Sequence, residues 1–484
     1  MLFNSLHFAV FFIIITVTYY LLPYRFRWIL LLSGSCYFYM AFVPVYILIL
    51  GFTIVIDFFA GIYIERTKGP LRKIFLIASL IANISVLAIF KYYNFLNDNL
   101  NELLGNLGHA TPFPMLKILL PIGLSFHTFQ AMSYTIEVYR KNQVAEKHFG
   151  IYALYVMFYP QLVAGPIERP QNVLHQFYEK HSFNNKNITD GLKLIAWGLF
   201  KKVVIADRLS VIVNTVYNNP KQFEGAPLIF ATVLFAFQIY CDFSGYSDIA
   251  LGTARTIGFR LMTNFNTPYF SKSISEFWKR WHISLSTWFR DYLYIPLGGN
   301  RVSKFRWYLN LFITFLISGL WHGANWTYVI WGSLNGIYLI VENSTDSVRI
   351  KFYNFIGLHN KKLLISKLSL CSTFMLTCFA WIFFRAKDLH DAYYIISNLT
   401  TNFVPSINNL KPGILGSTLY DYLIGFLALS VLLLVEKIQM QISINKWLNH
   451  QPMMMRTLIY CALIMCILLF GMFDLEEQFI YFQF

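Results

Sequence analysis

An all-α protein that crosses a membrane many times is the fold class this sequence predicts, and three observations predict it. Hydrophobic residues make up 56% and charged residues 13%, with a mean hydropathy of +0.50, far from the composition of a soluble domain. Apolar runs long enough to span a bilayer recur along the 484 residues. The formal charge of +15 comes from short basic clusters between those runs, as in the cytoplasmic loops of multi-span proteins. Lipid is therefore the expected surrounding, and no nucleic-acid partner is expected. An aromatic content of 18% fits interfacial belts on many helices.

In chain order, the run from Leu6 to Leu22 is followed by Pro23-Tyr-Arg-Phe-Arg27 rather than a small-residue cleavage site, so it reads as the first span. Runs at 28–43, 45–64 and 74–95 give three more helices, with Pro44 as a natural break. Asn97 to Pro114 carries Asp98 and Glu102 but no Lys or Arg, which assigns it to the outer face. Leu119-Leu-Pro-Ile-Gly-Leu-Ser-Phe-His127 opens the next run, kinked at Pro121 and Gly123, and Arg140-Lys141 closes it. Two prolines and a glycine between Phe158 and Arg169 exclude a regular helix there; such backbone at membrane depth must be enclosed by protein or line a cavity.

Gln171 to Asp190 reads as a loop or surface helix, and Gly191 to Asp207 as a helix bearing Lys201-Lys202. From Pro227 to Arg255, Gln238, Asp242, Gly245 and Gly252 share one helical face. Asp242 there either orients a histidine or substrate hydroxyl, or caps a helix or pairs with an arginine; the structural reading is favoured. Arg255 to Arg306 is the most basic part, with nine Lys or Arg against Glu276 and Asp291. Ser273-Ile-Ser-Glu276 is a helix-starting signature. Behind it, Phe277, Trp281, Leu285, Trp288 and Tyr292 form an apolar ridge opposite Ser275, Lys279, His282, Ser286 and Arg290. The expectation is one amphipathic helix at the cytoplasmic interface. Its basic face attracts anionic lipid or, more sharply, forms a funnel for a cytosolic anionic substrate.

Leu311 to Val341 is apolar without a charge, yet holds His322 far from either end. On one helix Ser318, His322, Asn325, Ser333 and Gly336 would form a polar stripe. An ionisable side chain at membrane depth is costly, so function and interhelical packing compete on even terms for His322. Glu342 to Lys367 reads as a cytoplasmic loop, with spans near 366–384, 417–435 and 456–472 and an acidic tail from Asp474 to Glu477 that favours an outer C-terminus. The total is about ten to twelve membrane elements in a single domain over 1–484. The six cysteines lack metal-ligand spacing, and no Walker loop or Gly-x-Gly-x-x-Gly appears.

Trp321-His-Gly-Ala-Asn-Trp326, together with Glu276-Phe-Trp-Lys-Arg-Trp-His-Ile-Ser-Leu-Ser-Thr-Trp-Phe-Arg-Asp-Tyr292, resembles the membrane-bound O-acyltransferase (MBOAT) family. Leu120-Pro-Ile-Gly123, Pro160-Gln-Leu-Val-Ala-Gly-Pro166, Lys201-Lys-Val-Val-Ile-Ala-Asp207, Asp242-Phe-Ser-Gly-Tyr-Ser-Asp248 and Trp381-Ile-Phe-Phe-Arg385 point to its bacterial alginate O-acetylation branch. Each motif is weak alone; the ordered set is specific. The resemblance implies a bowl of helices around a central tunnel in the bacterial cytoplasmic (inner) membrane, with the motif-rich catalytic part at about 115–390. It implies His322 as the catalytic histidine and His282 as the second polar position, with Asn325, Lys279, Arg290, Asp242 and Trp326 as substrate-binding candidates. It further implies acetyl-CoA as donor substrate, no bound cofactor, an extracytoplasmic SGNH-type acetyltransferase partner and an envelope polysaccharide as acceptor. The runner-up is D-alanyl transfer from a carrier-protein thioester.

Acyl transfer from a thioester to a hydroxyl needs a base, stabilisation of the oxyanion and exclusion of water. His322 takes the first task in this reading, and His282 or Asn325 positions or polarises donor or acceptor. Direct transfer is favoured over an acyl-serine, with an acyl-histidine as the other route. A non-catalytic transporter and a structural scaffold are the competing classes; the absence of an inverted repeat argues against the transporter.

Overall fold

The computed structural model describes residues 1–108, 114–116, 121–163, 165–355, 357, 360–473 and 479–480. Among them every regular element is helical, and six helices are long and apolar enough to cross a bilayer: Pro44–Arg66, Pro70–Asn106, Ala226–Thr256, Lys362–Arg385, Leu419–Gln439 and Met453–Phe470. The chain divides into two compact units, one of residues 1–195 with 246–262, the other of 196–245 with 263–484.

In the first unit, α1 (Leu6–Leu21) starts at Ser5, whose hydroxyl accepts from the Phe8 N–H at 3.1 Å. α2 (Tyr24–Met40) follows Pro23, and α3 (Ile47–Arg66) follows a turn begun by Pro44. α4 (Pro70–Asn106) is longer than the run expected at 74–95, continuing as helix through Asn97 to Asn106. Its acids and amides are compatible with helix, and the side chain of Asn99 accommodates itself by donating back to the Phe95 carbonyl at 2.6 Å. α5 (Leu124–Tyr139) begins at Gly123, whose φ of 74° supplies the sharp entry expected there. Asp57 of α3 is buried among Ser79 and Asn83 of α4, accepting at 2.6 and 2.9 Å, and this knot ties α3 to α4. After α6 (Phe149–Met157) the chain breaks at Phe158 and makes one turn over Tyr159–Leu162, and Gly165–Arg169 form no regular element, as the prolines predict. Leu120, Ala164 and the acidic tail from Asp474 lie outside the described residues.

In the second unit, helix Asp207–Tyr217 is tied to Leu419–Gln439 and Met453–Phe470 through Arg208, which pairs with Asp421 and donates to the Phe470 carbonyl at 2.7 Å. The predicted amphipathic helix is two helices, Ile274–Arg280 and Ile283–Phe289, broken at Trp281-His282. Ser273 accepts from the Glu276 N–H at 3.0 Å, which starts the first of them as predicted. The break has a local cause: Asn264 captures the N–H groups of Ile283 and Ser284 that would otherwise continue the helix.

The predicted unbroken helix over 311–341 is likewise two, Lys304–His322 and Trp326–Ser344, folded back on each other as an antiparallel hairpin. Glycine permits the close crossing. A Cβ at Gly319 would stand 2.2 Å from the Tyr328 carbonyl oxygen, and one at Gly332 would stand 2.3 Å from that of Phe315. Helix Trp326–Ser344 ends just inside the loop expected from Glu342, and Asp346–Phe355 forms a further helix within it, with Arg349 pairing with Asp346 at 2.8 Å.

Candidate active site

His322 is the last residue of its helix. Gly323 turns extended, and Asn325 begins the next helix by accepting from the Thr327 N–H at 3.0 Å. The polar stripe drawn on a single helix therefore does not exist; His322 stands instead at a helix end, on a turn. Its imidazole is 4% exposed and boxed by aromatic rings. Centroids of Trp321, Trp331 and Phe384 lie 4.9, 4.9 and 5.3 Å away, each ring steeply inclined to the imidazole. Phe384 comes from the Trp381-Ile-Phe-Phe-Arg385 motif, whose Arg385 is anchored by Asn214 at 2.7 Å and Asn218 at 3.0 Å.

His282 is fully buried rather than on an exposed polar face. It sits at the break between the two short helices with φ 43° and ψ 56°, a left-handed conformation rarely adopted outside glycine and a sign of a position held by its surroundings. Phe243 packs edge-on at 4.6 Å, and Trp321 meets the same ring at 6.3 Å. One indole, Trp321, thus touches both histidines, so the structure brings His282 and His322 into one aromatic neighbourhood within the second unit.

The other candidates stand apart in character. Asn325 is a helix cap that also donates to the Lys387 carbonyl at 3.0 Å. Trp326 is 49% exposed, while Lys279 and Arg290 are exposed, the latter donating to Asp291 at 2.7 Å. Asp242 is buried and accepts from Lys202 at 2.7 Å through one oxygen and from the Ile480 N–H at 2.7 Å through the other. That is the structural pairing favoured from sequence, with a lysine in place of the arginine. Asn264 is the residue sequence reasoning missed. It lies 18 positions before His282 in a loop without regular periodicity, so no spacing signal pointed to it.

The sequence profile of the membrane-bound O-acyltransferase family matches residues 78–386. The chain belongs to the MBOAT family. As an MBOAT protein it is an enzyme, an O-acyltransferase, and a multi-pass membrane protein. It is 41% identical to "Probable alginate O-acetylase AlgI" of Pseudomonas aeruginosa over 78% of this chain and 70% of that one. It is 32% identical to the peptidoglycan O-acetyltransferase of Helicobacter pylori over 94% and 91% of the two chains. It is 30% identical to the teichoic acid D-alanyltransferase of Streptococcus thermophilus over 46% of this chain and 57% of that one. His322 and His282 both fall inside the matched family segment.

Proposed function

We propose that this MBOAT enzyme takes an acetyl group from cytosolic acetyl-CoA and passes it through or across the bacterial cytoplasmic membrane for O-acetylation of a cell-envelope polysaccharide. His322 is the catalytic base. The observation that carries this reading is the pairing of His322 with His282 around Trp321 in a buried aromatic enclosure. Such an enclosure shields a thioester from hydrolysis while leaving an imidazole available for proton transfer.

In the reaction a hydroxyl oxygen attacks the thioester carbonyl as His322 takes its proton. The tetrahedral oxyanion collapses, the C–S bond breaks, and the departing thiolate recovers the proton as the thiol. His282 positions the hydroxyl. No bound cofactor takes part. The acetyl group is preferred to D-alanyl because the relatives named for O-acetylation share 41% and 32% identity over most of the chain, whereas the D-alanyltransferase matches less than half of it. From the family resemblance, an extracytoplasmic SGNH-type acetyltransferase completes transfer to the glycan. Lys279 and Arg290, exposed and basic, attract the phosphates of the donor.

The test is transfer of radiolabelled acetyl from acetyl-CoA by the purified protein in lipid nanodiscs, comparing wild type with His322→Ala. Turnover lost in the folded variant supports the reading. Absence of turnover in the wild type, with carrier-protein thioesters and a partner also supplied, overturns it.

A further inference from the structure

We propose that Asn264 is a positioning residue that holds His282 as its Nδ1–H tautomer, so that Nε2 carries the lone pair. Its bearing on catalysis rests on the function proposed above; the tautomer itself rests on geometry alone.

Asn264 is 2% exposed and is fixed by the main chain on both sides of its contact. Its carbonyl accepts from the Ile283 N–H at 2.9 Å, and the Asn266 N–H donates to the Arg280 carbonyl at 2.9 Å, so residues 264–266 are laced to 280–283. The side-chain oxygen faces three groups: the Ser284 N–H at 3.2 Å, the Ser284 hydroxyl at 2.9 Å and His282 Nδ1 at 3.1 Å.

A backbone N–H donates in every protonation state, so the amide atom facing Ser284 N must be the oxygen; a flipped amide would set NH2 against N–H. That sets an oxygen against Nδ1. An oxygen at this distance from an imidazole nitrogen repels a lone pair and attracts a proton, which favours the proton on Nδ1 as a third donor to that oxygen. The Ser284 hydroxyl does not compete for this role. It is 2.9 Å from the Asn264 oxygen but 3.5 Å from Nδ1, so its proton goes to the amide.

A neutral imidazole protonated at Nδ1 has its acceptor at Nε2. The left-handed backbone at His282 and the Phe243 edge at 4.6 Å hold the ring in that pose. The functional consequence is a choice between two roles. With Nδ1 protonated, a neutral His282 can take a hydrogen bond at Nε2 but cannot give one there, which suits it to the alcohol being acylated rather than to the oxyanion.

The experiment uses full-length protein with 15N-labelled histidine in nanodiscs, read by solid-state NMR, where protonated and unprotonated ring nitrogens resonate far apart. The His282 signals are assigned by their loss in His282→Gln. The expected result is a protonated Nδ1 and a bare Nε2 in the wild type. Asn264→Asp, which keeps the acceptor oxygens, retains the protonated Nδ1. Asn264→Leu loses that preference and lowers acetyl transfer by ~10²-fold or more, the scale of a misdirected catalytic imidazole. A wild-type spectrum with Nε2 protonated overturns the assignment even if Asn264→Leu fails to fold, as does an unchanged spectrum in a folded Asn264→Leu. The expected spectrum together with wild-type transfer by His282→Gln upholds the tautomer and overturns the catalytic part given to His282.

Discussion

Trp321 packs its indole against the imidazole of His282, 6.3 Å between ring centroids, and the next residue along its helix is His322. Because one side chain supports both histidines, substitutions at Trp321 and His282 should not be independent. In a double-mutant cycle on acetyl transfer, Trp321→Phe and His282→Gln together should lose less than the product of their separate losses, with a coupling of ~0.5–3 kcal/mol. Simple multiplication of the two effects would mean that Trp321 acts only as core packing.

The hairpin that delivers His322 depends on Gly319 and Gly332, where any Cβ would lie within 2.3 Å of a backbone carbonyl oxygen of the facing helix. Backbone cannot rotate away as a side chain can. Gly332→Ala should destabilise the protein by about 1–3 kcal/mol and reduce transfer by shifting the turn at His322. Gly51→Ala on α3, with nothing within 4 Å, should be neutral or slightly stabilising, since alanine is the better helix former. Thermal unfolding in one detergent compares the two directly.

Much of the helical architecture is legible in the sequence because a bilayer imposes length and apolarity on each span; Pro44, Gly123 and the prolines around Phe158 mark real breaks. The internal breaks at His282 and at Gly323-Asn325 are not legible by periodicity. Trp281 and Leu285 keep an apolar ridge in register across the first, and the run from Leu311 to Val341 stays apolar through the second. The first break is set by a tertiary contact, the hydrogen bonds Asn264 takes from Ile283 and Ser284, and after Gly323 leaves the helix Asn325 caps the start of the next. Motifs located the histidines, but a non-periodic tertiary contact such as Asn264 to His282 leaves no sequence spacing to read.

The family resemblance implies a substrate contact for Asn325, yet its side chain caps the helix after the turn and holds the Lys387 carbonyl. A capping role predicts a graded response. Asn325→Asp keeps the capping acceptor but loses the donor to the Lys387 carbonyl, so it should retain more activity and stability than Asn325→Ala, which loses both and should cost ~1 kcal/mol or more with a modest loss of transfer. A large rise in KM for acetyl-CoA in Asn325→Asp at unchanged thermal stability would instead place this side chain on the donor.

Lys202 lies between two carboxylates, 2.7 Å from Asp207 and 2.7 Å from Asp242, with all three side chains nearly inaccessible. Lys202 faces both carboxylates while each carboxylate faces the one ammonium, so the three members are unequal. Lys202→Met removes the cation both carboxylates depend on and should cost about 3–5 kcal/mol, the penalty for an uncompensated buried charge. Asp242→Asn keeps Lys202 beside Asp207, but its single amide oxygen cannot accept from both Lys202 and the Ile480 N–H, so one buried donor meets the NH2 instead; the loss should be about 1–3 kcal/mol, still below that of Lys202→Met. The order of unfolding temperatures, wild type above Asp242→Asn and both above Lys202→Met, checks the assignment of Asp242 to structure. Full stability in Asp242→Asn combined with abolished transfer would return that carboxylate to the substrate.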